Sequence, residues 1–188
     1  MSINTENRTQ KLSEPDLSNR LQSVELLVMD VDGVLTDGKI SYTSDGQEMK
    51  HFNVKDGLGI SLAIRAGMQL AIITARTSVM VSRRAEELGI QHVLQQTKTK
   101  LPALQKLMAE LGLSPEQSAY IGDDLPDIPP MQACGVACCP ADAAEAVQEI
   151  AHWTTTRRGG EGAVRELIDR ILAAKGIQHT DLQAKRSP

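Results

Sequence analysis

Four aspartates follow two short apolar runs of the sequence. Asp30 and Asp32 come after ELLVM, and Asp123 and Asp124 come after SAYIG. Carboxylates packed together repel one another unless a cation offsets their charge, and Mg²⁺ suits a site with few protein ligands and a substrate phosphate. A carboxylate can also attack phosphorus and form an aspartyl-phosphate. The pattern therefore indicates Mg²⁺-dependent phosphate-ester chemistry with Asp30 as the nucleophile.

Three further side chains suit the same chemistry. Asp32 lies two residues after Asp30 and points to the same side of an extended backbone, so it can protonate a leaving alcohol and later deprotonate water. Thr74 ends another apolar run, and Lys100 begins a predicted helix. A hydroxyl and an ammonium can bind the phosphoryl oxygens, where negative charge gathers in the transition state.

Alternating apolar runs and amphipathic segments predict the elements that position these residues. They indicate an α/β fold, a Rossmann-like doubly wound parallel sheet with helices on both faces. In such sheets ligands bind beyond the carboxyl ends of the strands, where residues distant in sequence meet. Ser44-Asp45-Gly46 between two alternating runs predicts a β-hairpin insertion after the first strand, at about residues 38–54. The predicted strands are ELLVMDV, MQLAIIT, QHVLQ, SAYIGDD, GVACCP and an edge strand HWTTT, and Gly67, Gly89 and Gly112 are predicted to end three helices.

The chain divides into three parts. Residues 1–24 are polar and indicate a mobile tail or a short leading helix. Residues 25–175 are predicted to form a single domain, and 176–188 a C-terminal tail. We find no insert between the motifs that is long enough for a separate cap domain.

Composition excludes several classes of function. The 188 residues carry a net charge of −4 and only 2% aromatic residues, which argues against nucleic-acid binding. The polar start resembles no signal peptide and no apolar run can span a bilayer, so we expect a cytoplasmic protein without a membrane partner. Cys134, Cys138 and Cys139 are expected to be buried core residues. The histidines His51, His92, His152 and His179 share no metal-ligand spacing and are expected to be structural or exposed.

Four motifs together resemble the haloacid dehalogenase (HAD) superfamily. They are DVDGVLT (30–36), IITA (72–75), Lys100 and GDDLPD (122–127), in the order typical of that superfamily. The resemblance implies that Asp30 is the nucleophile and Asp32 the acid/base, while Thr74 and Lys100 bind phosphate. Lys98 is the alternative to Lys100.

The same resemblance implies a Mg²⁺ site and its support. The implied ligands are the side chains of Asp30 and Asp123 and the backbone carbonyl of Asp32. Asp124 and Asp127 are expected to support these ligands or Lys100 from behind.

A closer resemblance covers nearly all of residues 24–175. The hairpin, FNVKDGLGI (52–60) and GGEGAVREL (159–167) are similar to the 3-deoxy-D-manno-octulosonate 8-phosphate (KDO 8-phosphate) phosphatases, which lack a cap. The resemblance implies hydrolysis of KDO 8-phosphate on the way to lipopolysaccharide. It also implies a homotetramer in which the hairpins form a central barrel and a neighbouring subunit helps to close the active site.

Basic residues are candidates for binding the carboxylate of a sugar acid, because guanidinium and ammonium groups pair with carboxylates. Lys55, which stands where many family members have arginine, and Arg76 are favoured over Arg157, Arg158 and Arg165. Gly159, Gly160 and Gly162 either form a loop that reaches a neighbour's site or only link the last strand to the last helix. The full set of predicted substrate-binding residues is Gly33, Lys55, Asp56, Gly57, Thr74, Ala75, Arg76, Arg84 and Lys100.

Three alternatives stay open beside this hypothesis. A nonulosonate 9-phosphate would fit a similar pocket. A phospho-receiver domain combines an acidic cluster with a threonine and a lysine, but it has no partner carboxylate such as Asp32. A non-catalytic domain with the same fold would not need every motif position filled.

Overall fold

The computed structural model describes residues 11–183, which form an α/β fold with a six-stranded sheet and a separate two-stranded hairpin. The strands are β1 (Leu26–Met29), β2 (Ser41–Tyr42), β3 (Glu48–Met49), β4 (Gln69–Ile73), β5 (His92–Leu94), β6 (Ser118–Ile121), β7 (Val136–Cys139) and β8 (Trp153–Thr154). The helices are α1 (Glu14–Gln22), α2 (Val54–Arg65), α3 (Val79–Leu88), α4 (Lys100–Leu111), α5 (Ile128–Gln132), α6 (Glu145–Ile150), α7 (Ala163–Ala174) and α8 (His179–Gln183).

The main sheet is parallel, with strand order β5-β4-β1-β6-β7-β8. The chain runs outward from β1 through β4 to β5, then crosses back to β6 and continues to β8. Strand order therefore reverses beside β1, and such a switch point leaves a crevice at the carboxyl ends of the strands. Val28 in β1 lies opposite Ala71 on one side and Tyr120 on the other. All four residues of β1 are buried, as expected for a strand covered on both faces.

Helices cover both faces of the sheet, as predicted. One apolar cluster includes Leu17 of α1, Ile60 of α2, Val81 of α3 and Leu167 of α7. The other cluster lies on the opposite face and includes residues of α4, α5 and α6: Leu104, Met131 and Val147. Successive residues of a strand contribute to opposite clusters, because their side chains alternate between the two faces.

The predicted hairpin is present between β1 and α2. Its strands pair antiparallel, with Ser41 opposite Met49, and Gly46 in the turn has a φ of +83°. The helix ends also agree with prediction, since Gly89 and Gly112 adopt the left-handed conformation after α3 and α4. No cap domain occurs among residues 11–183.

The structure selects one of the two alternatives for the N-terminal segment and places a short helix in the predicted C-terminal tail. Residues Glu14–Gln22 form α1, which packs against α7 and buries Leu17 and Leu21, so the leading-helix alternative is correct there. Apolar residues four apart share a helix face, which explains how a polar segment can still bury one side. Near the other end, α8 buries Leu182. The predicted tail segments 1–10 and 184–188 lie outside the described residues.

The cysteines and His152 are buried within the fold. All three cysteines are free and buried, as predicted. His152 accepts a hydrogen bond at Nδ1 from the Ala137 backbone N–H at 2.9 Å. Burial, helped by the nearby charge of Arg20, lowers the pKa of His152 to about 4. His51 is exposed, and the side chain of His179 lies outside the described part of the chain. Between residues 11 and 183 no helix combines the length and apolar character needed to cross a membrane.

Candidate active site

The carboxyl ends of β1, β4 and β6 and the start of α4 open into one cleft of about 300 Å³. Each of the four predicted catalytic residues lines it. The backbone N–H of Asp30 donates to Ile121 O at 3.1 Å, which fixes the end of β1 beside the end of β6. The residues lining the cleft are Asp30, Asp32, Gly38, Thr74, Ala75, Arg76, Lys100, Asp123, Asp124, Pro126 and Asp127.

Lys100 is the centre of a set of residues that we call the inner charge group: Asp30, Lys100, Tyr120, Asp123 and Asp127. Its Nζ lies 2.9 Å from Asp30 Oδ2 and donates to Asp127 Oδ1 at 2.7 Å. Burial alone would lower the pKa of Lys100, but the charges of Asp30 and Asp127 outweigh it and raise the pKa. Lys98, the alternative from the sequence, is exposed. The structure therefore places Lys100, and not Lys98, at the cleft.

Asp127 has hydrogen-bond donors on both carboxylate oxygens. Its Oδ1 accepts from Lys100 Nζ and from Tyr120 Oη at 2.8 Å. Its Oδ2 accepts from the backbone N–H groups of Asp123 and Asp124 at 3.2 and 3.4 Å. A short 3₁₀ turn, Leu125–Asp127, brings the side chain back to these donors, and Asp124 caps that turn by accepting from Leu125 N at 2.8 Å. Asp127 thus supports Lys100, whereas Asp124 holds the turn.

Asp123 is the opposite case. Its Oδ1 is buried and has no hydrogen-bond partner among residues 11–183. Burial, followed by the charges of Asp30 and Asp127, raises the pKa of Asp123 to about 7. Burial and the charge of Asp127 likewise raise the pKa of Asp30 to about 6. These two carboxylates are costly to ionise unless something positive joins them.

The carboxylates fit a divalent cation. One oxygen from each of Asp30, Asp123 and Asp127 lies within 4.8 Å of the others. Both carboxylate oxygens of Asp127 already accept hydrogen bonds, so Asp30 and Asp123 are the better ligands for a cation. The backbone carbonyl of Asp32 accepts none of the backbone hydrogen bonds found in residues 11–183. Few carboxylates together with a free carbonyl are the oxygen ligands that Mg²⁺ prefers.

Asp32 belongs to a second set, the outer charge group: Asp32, Glu48, Lys50, Arg76 and Ser78. Lys50 forms an ion pair with Asp32 Oδ1 and lies 3.6 Å from Glu48 Oε1. Arg76 donates through Nη2 to Glu48 Oε1 at 3.0 Å, and its Nε lies 3.7 Å from Asp32 Oδ2. Ser78 Oγ donates to Glu48 Oε2 at 2.7 Å. From the hairpin segment, Lys50 thereby contacts the acid/base candidate directly, and Glu48 is linked to it through Lys50 and Arg76.

The hairpin reaches the cleft because its side chains alternate. Lys50 pairs with Asp32 and Glu48 pairs with Lys50, while Met49 between them points away and is 44% exposed. The side chain of Lys50 is only 2% exposed, although it lies on a polar hairpin. Neither residue belongs to the predicted site. The alternation of EMK in a predicted strand was the signal that could have placed both on one face.

Thr74 is buried at the end of β4. Its N–H donates to Leu94 O at 3.0 Å and its Oγ1 accepts from Arg76 N at 3.4 Å. These bonds turn the chain so that Ala75 and Arg76 follow along the wall of the cleft. The hydroxyl is therefore held at the cleft, where the prediction put it.

Four predicted substrate-binding residues lie elsewhere in this chain. Asp56 is buried and accepts from Arg165 N at 2.7 Å, which caps the first turn of α7. Gly57 lies against Arg84, since a Cβ at Gly57 would meet Arg84 Nη2 at 2.3 Å. The face of α2 that carries Asp56 and Gly57 packs against neighbouring helices and not on the cleft. Lys55 is exposed in the first turn of α2. These four residues therefore do not line the cleft of their own chain, and their part in substrate binding stays a prediction.

Gly33 contacts the site through its backbone. It has a φ of +92°, and a Cβ there would meet Asp123 Oδ2 at 2.0 Å. The glycine-rich segment packs on this loop, because a Cβ at Gly159 would meet Gly33 O at 1.8 Å and Gly160 N donates to Val34 O at 2.9 Å. Gly162 begins α7. Within one chain, the segment therefore links β8 to α7 and buttresses the loop after β1.

The remaining arginine candidates are held away from the cleft. Arg158 Nε lies 3.2 Å from Asp142 Oδ2, and Arg165 Nε lies 2.7 Å from Asp169 Oδ1. Arg157 is exposed. Of the arginines considered from the sequence, Arg76 lines the cleft.

Comparisons with known proteins agree with this geometry. The family profile described as haloacid dehalogenase-like hydrolase matches residues 91–167. The chain is 45% identical over 160 residues to the 3-deoxy-D-manno-octulosonate 8-phosphate phosphatase KdsC of Yersinia pestis, and the match covers 85% of this chain and 86% of that protein.

Two crystal structures show the same fold. The Yersinia pestis 3-deoxy-D-manno-octulosonate 8-phosphate phosphatase superposes with a TM-score of 0.84 at 45% identity, covering 86% of this chain and 87% of that one. The Moraxella catarrhalis 3-deoxy-D-manno-octulosonate 8-phosphate phosphatase, in complex with magnesium ion, phosphate ion and KDO, superposes with a TM-score of 0.86 at 41% identity. That match covers 92% of this chain and 97% of the Moraxella chain.

Proposed function

This chain belongs to the 3-deoxy-D-manno-octulosonate 8-phosphate phosphatases of the haloacid dehalogenase superfamily, and from that membership we propose that it hydrolyses KDO 8-phosphate to KDO and phosphate. One observation carries the proposal. Asp30 lies buried at the end of β1, paired with Lys100 and beside an oxygen of Asp123 that has no hydrogen-bond partner within residues 11–183. The arrangement suits an anionic nucleophile that attacks an anionic phosphate, because the ammonium of Lys100 and a cation bound by Asp123 would offset the repulsion between them.

In the proposed first step, a carboxylate oxygen of Asp30 attacks phosphorus. The bond from phosphorus to the sugar oxygen breaks, and an aspartyl-phosphate forms on Asp30. Asp32 donates its proton to the departing sugar oxygen, which leaves as the alcohol. Lys100 and Thr74 bind the phosphoryl oxygens, whose charge grows in the transition state.

The second step restores the enzyme. Asp32, now a carboxylate, takes a proton from a water molecule that attacks phosphorus. The bond between phosphorus and Asp30 breaks, and inorganic phosphate leaves. Lys100 stays paired with the buried Asp127 throughout, which keeps its ammonium in place.

Asp30, Asp123 and the backbone carbonyl of Asp32 would hold Mg²⁺ at this site. The ion supplies positive charge that reduces the repulsion between the carboxylates and the phosphoryl group. Oδ1 of Asp123 supports this assignment, because it is buried and finds no hydrogen-bond partner in the described part of the chain.

We assign the carboxylate of the sugar acid to Arg76. Its side chain is 41% exposed, whereas that of Lys50 is nearly inaccessible and Lys100 is assigned to the phosphoryl oxygens. A guanidinium can pair with a planar carboxylate through two parallel hydrogen bonds. Arg76 is therefore the best placed of these cations to meet a ligand.

A homotetrameric assembly in the cytoplasm is part of the proposal, as is a place on the way to lipopolysaccharide. Family resemblance implies all three. The hairpin supports the assembly, because Ile40, Tyr42 and Met49 are between 44% and 61% exposed on a two-stranded ribbon. Such a ribbon is marginal in water without a partner.

The test is steady-state hydrolysis of KDO 8-phosphate and a nonulosonate 9-phosphate, each with Mg²⁺ and with a chelator. We expect KDO 8-phosphate to have the higher kcat/KM and chelation to abolish turnover. Asp30→Asn should reduce kcat by on the order of 10³-fold or more. The control is Asp45→Asn in the hairpin turn, because Asn-Gly suits such a turn as well as Asp-Gly.

Two results would contradict the proposal. Full activity of Asp30→Asn would remove Asp30 from its role as nucleophile. A preference of tenfold or more for the nine-carbon substrate would replace KDO 8-phosphate as the substrate.

A further inference from the structure

Asp32 is not fixed by the sheet. It lies in the turn after β1, beyond the last ladder pair of that strand. Among residues 11–183 its carboxylate pairs with Lys50, from the hairpin segment, and Arg76, from the loop after β4. The orientation of the acid/base candidate therefore depends on side chains that other segments supply.

Lys50 is the closer and better fixed of the two cations. Its ammonium is in direct contact with Asp32 Oδ1, whereas Arg76 Nε lies 3.7 Å from Asp32 Oδ2. Arg76 bonds more closely to Glu48, at 3.0 Å, and is partly exposed. Glu48 also lies 3.6 Å from Lys50 and accepts from Ser78 at 2.7 Å, so Lys50 is held from both sides.

We infer that Lys50 is a positioning residue that holds the Asp32 carboxyl where it meets the leaving-group oxygen, so that the hairpin forms part of the active site. The inference rests on the proposed function, because it assigns Lys50 to the proton transfer of that reaction. A general acid acts only within hydrogen-bond reach of its target. A displacement of about 1 Å can cost on the order of 10²-fold in rate.

The leaving group separates this role from a merely structural one. The alkoxide of a sugar is a strong base and needs a proton from Asp32 as it departs. The p-nitrophenolate ion and the acetate ion are weak bases and leave without one. Asp32 also serves as the base in the second step, which all substrates share, so the comparison uses kcat/KM, which reports only the steps up to departure of the leaving group. Loss of Lys50 should therefore reduce kcat/KM for the sugar phosphate and leave kcat/KM for an activated phosphate nearly unchanged.

The experiment compares Lys50→Met with the unchanged protein on KDO 8-phosphate, p-nitrophenyl phosphate and acetyl phosphate. We expect kcat/KM to fall by about 10²-fold on the sugar phosphate and by less than about 3-fold on the activated phosphates. Asp32→Asn should show the same split. The double variant should lose little more than Asp32→Asn alone, because the two residues act as one unit.

Lys39→Met is the matched control. Lys39 precedes the same hairpin and pairs with Asp37 at 2.9 Å, but its side chain is 81% exposed. We expect it to leave all three activities unchanged. Should Lys50→Met fail to fold, Lys50→Gln, which keeps a hydrogen-bond donor, is measured in the same way.

An equal loss of kcat/KM on all substrates would overturn the inference, since it would mean that Lys50 only maintains the cleft. Unchanged hydrolysis of the sugar phosphate would overturn it as well. Failure of the proposed function gives a different result: the unchanged protein would not release phosphate from KDO 8-phosphate, whatever residue stands at position 50.

Discussion

The inner and outer charge groups contain the same kinds of side chains but are built in different ways. In the inner group, Asp30 and Tyr120 belong to neighbouring strand segments of the sheet, and Lys100 begins a helix packed on it. In the outer group, Glu48 and Lys50 come from a short hairpin whose other face is apolar and exposed. The nucleophile Asp30 is thus positioned by the main sheet, whereas the acid/base Asp32 is positioned by the hairpin.

This difference has an energetic side. Lys100 and Asp127 are almost fully buried, so each depends on the other for its charge to be tolerated. Lys50 is buried too, but Asp32 and Glu48 keep about a fifth of their side-chain surface in water. If a charged partner is removed from the outer group, hydration can therefore replace part of the stabilisation that the partner gave to the remaining charges.

The largest expected effect separates the two groups by stability. Lys100→Met leaves Asp30 and Asp127 close together without their cation, and we expect it to lower the free energy of unfolding by about 3–5 kcal/mol. Lys50→Met should lower it by about 1–2 kcal/mol, because its partners stay partly hydrated. Urea unfolding without Mg²⁺ measures both. Equal losses would mean that the two groups do not differ in the way their burial indicates.

A smaller effect concerns Asp123 and pH. The pKa of Asp123 is raised to about 7 by burial and neighbouring carboxylates, above its ordinary value of about 3.9 in an unfolded chain. The folded state therefore binds more protons between these values, and stability without metal falls as pH rises from about 4 to about 7. Asp123→Asn removes this loss. We expect the metal-free variant to be more stable than the unchanged protein at pH 8, by on the order of 1 kcal/mol, and the difference to shrink toward pH 4.

Added Mg²⁺ should reverse that order. The unchanged protein gains stability by binding the ion, and the variant, which lacks a ligand, gains less. Thermal unfolding at pH 5 and pH 8, with and without Mg²⁺, gives the comparison. If Asp123→Asn were less stable than the unchanged protein at pH 8 without metal, Asp123 would not carry the unfavourable charge that its burial indicates.

The smallest effect tests the outer group alone. Glu48→Gln weakens its contacts with Lys50 and Arg76, and we expect a loss of less than about 1 kcal/mol in the free energy of unfolding. The loss should shrink further in 0.5 M salt, because partly exposed charges are screened. The difference between Lys100→Met and the unchanged protein should hardly change with salt. Urea unfolding at low and high salt distinguishes these outcomes.

The sequence predicted the inner group better than the outer one. Asp30, Thr74, Lys100 and Asp123 follow strands or begin a helix, so the rule that strand ends converge places them together. The same rule could not show that Asp127 turns back to hold Lys100, because that depends on a tight 3₁₀ turn. Tyr120 left a signal that was not used: a hydroxyl in a fully buried strand needs a partner.

Two members of the outer group, Glu48 and Lys50, were missed because they lie on the hairpin segment. The turn residues Ser44-Asp45-Gly46 predicted the hairpin itself. The local sequence does not determine which part of the protein the hairpin packs against. Conversely, Asp56 was predicted at the substrate as part of the FNVKDGLGI motif, and Arg84 as an arginine that could pair with a carboxylate. Helical periodicity turns Asp56 toward α7, where it caps a helix. Motif membership alone therefore does not fix the direction of a side chain.

The contact between Gly159 and the loop after β1 bears on the order in which the protein is made. That loop carries Asp32, and its backbone is packed against and hydrogen-bonded by residues 159–160, which come much later in the chain. A ribosome must therefore release most of the chain before the first motif finds its final support. Synthesis of Asp30 and Asp32 early in translation is therefore not sufficient to form the active site. A nascent chain halted before residue 159 would carry all four motifs and still lack the buttress that holds its acid/base loop in place.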